Sequence, residues 1–306
     1  MPVLNIEKIS KNYGAVRALR DVSFKVDKGT VFGILGPNGS GKTTLLGIVM
    51  DVLKATSGTY TWLDKPYEDS IRKEIGTLLE TPNFYHYLSG EDNLRIAARI
   101  KGCGEADIPK VLQLVNLYQR KNSKFNTYSL GMKQRLAIAS CLLGDPEILV
   151  FDEPTNGLDP AGIAEIRELI RELNRTGKTI IMASHILDEV EKVCTHVAII
   201  QQGVLKTYGS VSSVMNTSAS EVETKLLIDV SASDVAALKA VLQQLSGIDT
   251  ISEEDNGLQL SCVDTLSPEK INEHCFKNDI VLSKLNLKRK SLETRFLEIT
   301  VNKSDR

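Results

Sequence analysis

The chain has 306 residues, of which 42% are apolar and 25% are charged, and its formal net charge at pH 7 is -2. This length exceeds the usual size of one hydrophobic core, so we expect one large and one small domain. The near-neutral charge offers no basic surface to phosphates, so we expect no nucleic-acid partner. The longest apolar runs are too short to cross a bilayer, and the first ten residues lack a secretion signal, which predicts a cytosolic protein.

The chain begins with strand patterns. Residues 3–9 and 16–26 alternate between apolar and polar side chains, which predicts an antiparallel sheet at the start. From Thr30 onward, apolar strands such as 31–35 and 179–183 alternate with helical segments. This alternation predicts the α/β class, with a parallel core sheet covered by helices.

Two later regions differ from the α/β pattern. The segment 82–143 is mainly helical and contains a capping-box pattern that starts at Ser89, so we interpret it as a helical subdomain. The segment 216–223 is rich in Ser and Thr without periodicity, which indicates a linker. We therefore predict a large α/β domain over 1–215 and a small accessory domain over 224–306. The accessory domain has the order βαββαβ, with its first helix predicted over 232–245, and this order is typical of an α+β ferredoxin-like fold.

A glycine-rich loop carries the strongest chemical signal. It fits the phosphate-binding pattern GxxxxGK[ST] between an apolar strand and a helical pattern, and its residues are Gly36, Pro37, Asn38, Gly39, Ser40, Gly41, Lys42 and Thr43, followed by Thr44. Glycines allow backbone N–H groups to approach phosphate oxygens, and the positive end of the next helix lies at the same place. We expect Lys42 to contact the β and γ phosphates and Thr43 to bind Mg²⁺. A flexible turn without a ligand is the alternative.

Two adjacent carboxylates, Asp152 and Glu153, end the apolar strand that starts at Ile148. A charge at the end of a buried strand is costly unless a cation or another partner stabilises it. Asp152 is suited to hold Mg²⁺, and Glu153 is suited to orient and deprotonate the water that attacks the γ phosphate. Two solvated acids are the alternative, but the nearby phosphate-binding motif favours catalysis.

With these motifs in this order, residues 1–214 resemble the ATP-binding subunits of ABC transporters, in particular the export-associated group. The resemblance implies a P-loop ABC ATPase fold and the ligands ATP and Mg²⁺. It also implies a separately encoded membrane-spanning permease and a dimer of ATPase chains, for which we expect a homodimer. The permease would hold the chain at the cytoplasmic face of the cell membrane.

The resemblance gives roles to two aromatic residues. Tyr13 matches the residue that stacks on adenine, although an ordinary turn aromatic would fit the same pattern. His185 follows the apolar strand 179–183 and matches the switch histidine that contacts the γ phosphate. A lone histidine is more often structural, but one at a strand end beyond paired carboxylates can sense charge near neutral pH.

Three further residues would act across the dimer interface. Ser129 and Gly131 match the family's signature motif, where they would contact ATP bound by the opposite subunit. Leu130 and Met132 depart from that motif. Asp159 matches the loop that crosses the interface. Both Ser129 and Asp159 also suit plain helix N-caps, and the sequence leaves the two roles open.

Glu80 is the most informative departure from the family pattern. It occupies the place of a glutamine, and the segment 80–85 resembles the subgroup associated with bacitracin and lantibiotic self-protection. A carboxylate binds Mg²⁺ more tightly than an amide. We therefore hypothesise that Glu80 is a metal ligand that couples hydrolysis to the permease, with a solvated loop acid as the alternative.

Two other functions share the phosphate-binding loop. A soluble ABC ATPase acting on a non-membrane partner such as the ribosome usually has two ATPase halves, a long coiled-coil insertion or basic tails, and the sequence shows none of these. A kinase would not require the 128–132 segment or a catalytic acid at Glu153. The sequence therefore favours an ATPase that powers a permease, with export as the expected direction.

Overall fold

The computed structural model describes residues 2–66, 71, 74–79, 83–216, 226–254, 257–262, 266–288, 292–293 and 296. The chain divides into two compact units, Met1–Val214 and Met215–Arg306. Throughout the described ranges, every helix is too short or too polar to span a membrane. All five cysteines are free thiols.

The first unit contains ten strands and seven α-helices among its described residues. In chain order they are β1 (Pro2–Tyr13), β2 (Val16–Asp27), β3 (Val31–Leu35), α1 (Lys42–Val49), β4 (Ser57–Trp62), β5 (Lys65–Pro66), β6 (Ile75–Leu78), α2 (Gly90–Lys101), α3 (Ile108–Leu114), α4 (Leu130–Leu142), β7 (Ile148–Asp152), α5 (Pro160–Arg175), β8 (Thr179–Ser184), α6 (Leu187–Val193), β9 (His196–Gln201), β10 (Val204–Ser210) and α7 (Val211–Asn216). The last helix extends two residues past the boundary of the unit.

Two sheets organise this unit. The antiparallel sheet has the order β2-β1-β4-β5, and the core sheet has the order β10-β9-β3-β8-β7-β6 with parallel pairing from β9 to β6. Strands β3, β7 and β8 are buried along their whole length, which explains why they are continuously apolar. Because the carboxyl ends of neighbouring parallel strands meet at one edge, the segments that follow β3, β8 and β7 lie side by side.

Helices α2, α3 and α4 form the helical part of the unit. The predicted cap of α2 is confirmed, because Ser89 Oγ accepts a hydrogen bond from the Asp92 N–H at 3.0 Å. At the other end of α2, Lys101 Nζ donates to the carbonyl oxygens of Ser140, Cys141 and Leu143 at the end of α4. Burial lowers the pKa of Lys101, and these carbonyl contacts fix α2 against α4.

The second unit has the predicted element order. Its elements are β11 (Leu226–Ala232), α8 (Val235–Leu242), β12 (Ile248–Glu254), β13 (Gly257–Cys262), α9 (Pro268–Lys277) and β14 (Leu282–Lys288). The sheet is antiparallel with the order β12-β13-β11-β14, and its core includes Ile228, Leu260, Leu238 and Ile271 from both strands and helices. This arrangement is the expected ferredoxin-like fold.

Some predicted boundaries were wrong. We expected a helix over 232–245, but β11 continues to Ala232 and the helix begins only at Val235. The physical reason is Asp234, whose side chain accepts a hydrogen bond from the Ala237 N–H at 2.9 Å and so starts the helix there. The predicted linker starts at Asn216, which is helical, and the rest of that segment lies outside the described residues.

Candidate active site

The glycine-rich loop leaves the buried strand β3 and enters α1 at Lys42. A side-chain Cβ at Gly36 would lie 2.2 Å from the Ile200 carbonyl oxygen, so no larger residue fits there. Gly41 has a φ of 106°, and a Cβ there would lie 2.6 Å from the Ala18 carbonyl oxygen. Close backbone packing and the left-handed conformation therefore explain both glycines.

Lys42 is buried, with 5% of its surface exposed. Its Nζ donates to the Gly36 carbonyl oxygen at 2.8 Å and to the Pro37 carbonyl oxygen at 3.3 Å. The same Nζ lies 3.3 Å from Glu153 Oε1. A buried ammonium is stable only with such partners, and the loop itself therefore holds the positive charge in place.

Glu153 connects Lys42 to His185. His185 Nδ1 lies 2.7 Å from Glu153 Oε2, and because a carboxylate only accepts, Nδ1 carries the proton. The Glu153 backbone has a φ of 49°, in the left-handed region, and its N–H donates to the Ala183 carbonyl oxygen at 3.0 Å. One carboxylate thus contacts the phosphate-binding loop with one oxygen and the imidazole with the other.

These residues surround a cavity of about 310 Å³. Its lining comprises Ala18, Asn38, Gly39, Gly41, Lys42, Thr43, Thr44, Glu153, Asn156 and His185. Gly36, Pro37 and Ser40 belong to the same loop but do not line the cavity, and Asp152 is buried at the end of β7. Ala18 lines the cavity but was not predicted, because it has no chemical signal. Asn156 also lines it, and this residue begins the 156–159 segment that matches the loop expected to cross the dimer interface.

The comparisons with known proteins agree with this geometry. Residues 19–156 match the family model described as ABC transporter. Over 302 residues the chain is 32% identical to the bacitracin transport ATP-binding protein BcrA of Enterococcus faecalis. The alignment covers 97% of this chain and 96% of the relative. The chain belongs to the ABC transporter family.

Two further similarities support the assignment. The chain is 38% identical over 201 residues to the lantibiotic transport ATP-binding protein SrtF of Streptococcus pyogenes, over 66% of this chain and 88% of the relative. It also aligns, with a TM-score of 0.62 and 25% identity, with a dimeric ATP-binding cassette in a post-hydrolysis state bound to ADP and Pi, over 68% and 98% of the two chains. The predicted P-loop ABC ATPase fold and ATP hydrolysis coupled to transport are thereby confirmed.

In this ABC ATPase, the segment that resembles the signature motif caps α4. Ser129 Oγ accepts a hydrogen bond from the Met132 N–H at 3.3 Å. Leu130 is 53% exposed, and a Cβ at Gly131 would meet no atom of the described residues within 4 Å. The capping interpretation of Ser129 is realised in the structure, and the surface around Gly131 is open.

The segment after Glu153 lies next to the signature segment. Asp159 Oδ1 accepts a hydrogen bond from the Gly162 N–H at 2.9 Å, which makes Asp159 the N-cap of α5. A Cβ at Gly157 would lie 3.3 Å from Leu130 Cδ2. Leu130 and Gly157 therefore form one continuous patch outside the cavity, although they are 27 positions apart in sequence.

Tyr13 ends β1 and does not line the cavity. The residue is 47% exposed, and Lys11 Nζ lies 5.0 Å from the ring centroid. A cation at this distance from a tyrosine ring is within the range of a cation–π contact. The structure thus gives Tyr13 an accessible aromatic face near a positive charge.

Oxygen donors at the site suit a magnesium ion. Thr43, which carries a hydroxyl group, lines the cavity, and Asp152 directly precedes Glu153. Across the described ranges no group of three or more His, Cys, Asp or Glu side chains could form a metal centre. This donor set fits Mg²⁺, which usually binds one or two protein oxygens together with water and substrate phosphates. Glu80, the third predicted ligand, lies outside the described residues.

Proposed function

We propose that this chain hydrolyses Mg²⁺-bound ATP as a homodimer, with Glu153 as the general base, and thereby drives export by a separate permease. The observation that supports this proposal is the contact of Glu153 with both Lys42 and His185 in one cavity. A cation that holds the phosphates and a residue that orients or deprotonates the attacking water are recurring parts of phosphoryl-transfer sites, and Lys42 and Glu153 supply these two groups.

In the proposed reaction, Lys42 and the loop N–H groups hold the phosphates. A water molecule attacks the γ phosphorus and loses a proton to the carboxylate of Glu153, while the bond to the β-phosphate oxygen breaks to release ADP and phosphate. His185 donates from Nδ1 to Glu153 Oε2, which leaves Oε1 to accept the proton. The imidazole also fixes the direction of the carboxylate and stabilises its charge.

Thr43, Asp152 and Glu80 are the proposed Mg²⁺ ligands. The ion would supply positive charge to the phosphate oxygens. The other loop residues that line the cavity, Asn38, Gly39, Gly41 and Thr44, would surround the phosphates, with Gly36, Pro37 and Ser40 completing the loop. Tyr13 would stack on the adenine ring.

The proposed homodimer places Ser129, Gly131 and Asp159 against nucleotide bound by the partner. The open surface at Gly131 supports this proposal, because a glycine with no packing constraint in its own chain leaves room for a phosphate. The patch of Leu130 and Gly157 adds an apolar contact beside it.

For the transported compound, we propose a peptide antibiotic. The relatives that support this proposal carry the names bacitracin transport and lantibiotic transport ATP-binding protein. The chain would act at the cytoplasmic face of the membrane, attached through the permease. Deletion of its gene should increase the sensitivity of the cell to bacitracin or to a lantibiotic, and unchanged sensitivity to both would refute this cargo class.

Two N-cap serines provide a matched test of the dimer. Ser129→Ala and Ser89→Ala each remove a helix cap, with a similar expected loss of about 1 kcal/mol in stability. Only Ser129→Ala should reduce ATP hydrolysis and ATP-dependent dimerisation, measured by phosphate release and light scattering on the purified full chain. Equal effects of the two variants would show that Ser129 is a cap and nothing more.

A further inference from the structure

A buried carboxyl group lies behind the site. Glu189 is on α6, and only 4% of its surface is exposed. Its buried neighbours on this helix, Val190 and Val193, are apolar. Within the described part of the chain, Glu189 Oε1 has no hydrogen-bond partner. Such a group is costly to bury, so its presence calls for a function beyond packing.

The other oxygen of Glu189 binds Thr155. Thr155 Oγ1 donates a hydrogen bond to Glu189 Oε2 at 2.5 Å, and Thr155 is itself only 3% exposed. Burial raises the pKa of Glu189, whereas the hydrogen bond from Thr155 and the positive charge of Arg167 lower it. The negative charges of Asp188 and Glu153 also raise the pKa of Glu189, but by less than any of these three causes changes it.

Thr155 is at the centre of the segment that follows the proposed base. The Asn156 N–H donates to the Glu153 carbonyl oxygen at 3.1 Å, and the Leu158 N–H donates to the Thr155 carbonyl oxygen at 3.2 Å. These two consecutive turns carry the chain from Glu153 to α5. The side chain of Thr155 is therefore the point at which this segment is fixed to another element, α6.

Glu153 needs such support because its backbone is left-handed, a conformation that costs energy for a non-glycine residue. Its N–H is held by the Ala183 carbonyl oxygen at 3.0 Å. The helix that carries Glu189 starts two residues after His185, which binds the Glu153 side chain. Two hydrogen bonds and two chain segments thus form a closed ring. Glu153 binds His185, the chain continues from His185 into α6, Glu189 on α6 binds Thr155, and Thr155 is two residues after Glu153.

We propose that Glu189 is a positioning residue for ATP hydrolysis, which acts through Thr155 to hold Glu153 and His185 in their reactive arrangement. The inference rests on the proposed role of Glu153 as the base. Glu189 does not line the cavity, and its side-chain hydrogen bond among the described residues is the one from Thr155. Its effect should therefore fall on the rate of the chemical step and leave ATP affinity unchanged.

Four variants test the link by removing or conserving one atom group each. Thr155→Val and Glu189→Leu remove the donor and the acceptor, whereas Thr155→Ser and Glu189→Gln conserve them. On the purified full chain, the first pair should lower kcat about tenfold, the effect of losing one hydrogen bond, with KM for ATP unchanged. The conservative pair should retain most of the wild-type kcat, and the double variant Thr155→Val with Glu189→Leu should be no slower than the slower single variant.

A buried apolar position on the same helix separates positioning from stability. Val193→Ala should lower the melting temperature, because it removes buried apolar atoms. Its kcat should equal that of the wild type when the two proteins are assayed well below their melting transitions. Equal kcat values for Thr155→Val and wild type, or a loss confined to KM, would overturn the role of Glu189 while leaving Glu153 as the base. Normal turnover by Glu153→Gln would instead overturn the proposed function itself.

Discussion

Removal of the imidazole at position 185 tests the core of the mechanism. In His185→Ala, Glu153 Oε2 loses the hydrogen bond that Nδ1 donates over 2.7 Å. A hydrogen bond to a charged group contributes about 1.5 to 3 kcal/mol. If that hydrogen bond holds the carboxylate in the orientation in which Oε1 takes the proton from water, its loss should lower kcat roughly 10- to 150-fold. KM for ATP should change little, because Lys42 keeps its backbone contacts at Gly36 and Pro37.

Steady-state phosphate release from the purified full chain, with Mg²⁺ and varied ATP, gives kcat and KM separately. His196→Ala is the matched control, because His196 lies on β9, and the hydrogen bond of its Nδ1 is to the adjacent Thr195 hydroxyl, not to a site carboxylate. That variant should keep the wild-type kcat. A kcat for His185→Ala within threefold of wild type, or an equal loss in both variants, would refute the assigned role of His185.

Three further outcomes are expected from single substitutions. Glu153→Gln should abolish turnover while ATP still binds, and it should accumulate an ATP-bound dimer; a variant that stays monomeric with ATP would contradict this. Trp62→Phe should lower the free energy of unfolding by about 1 to 3 kcal/mol in a urea titration, because the Trp62 Nε1 bond to the Val49 carbonyl oxygen is lost inside the core. Burial raises the pKa of Glu189, so the folded protein binds the proton more tightly and wild-type stability should fall as pH rises from the ordinary glutamate pKa to the raised one. Glutamine does not titrate, so the Glu189→Gln variant should lack this pH dependence. If the unfolding free energies of the wild type and of Glu189→Gln changed with pH in parallel, the raised pKa of Glu189 would be contradicted.

Much of the fold follows from short-range patterns in the sequence. The alternation in 3–9 and 16–26 and the continuous apolar runs at β3, β7 and β8 predict the two kinds of sheet correctly, because burial on one face or on both faces leaves different periodicities. The helix at 232–245 was mispredicted because the apolar residues around Ala232 suit either a strand or a helix. The choice depends on sheet pairing with β14 and on the Asp234 cap.

The site was predictable to the extent that its chemistry depends on residue type and spacing. Lys42, Glu153 and His185 are far apart in sequence, but each follows or ends a predicted strand, and the sheet order brings those strand ends together. Ala18 could not be predicted, because an alanine on β2 carries no chemical signal. Glu189 could not be predicted either, since its burial depends on how α6 packs and its acidic neighbours on the helix are typical of a solvated face.

The two contacts of Glu153 connect nucleotide binding to the chemical step. Lys42 faces Glu153 Oε1 at 3.3 Å, so phosphate oxygens that bind Lys42 compete with the carboxylate for the same positive charge. When Lys42 turns to phosphate, Glu153 Oε1 loses its contact with the ammonium group, whereas Oε2 retains the hydrogen bond from His185. Arrival of the phosphates should therefore free Oε1 to contact the attacking water while His185 still holds the other oxygen. The strand order β3-β8-β7 makes this possible, because it places the end of the His185 strand between the loop and the carboxylate.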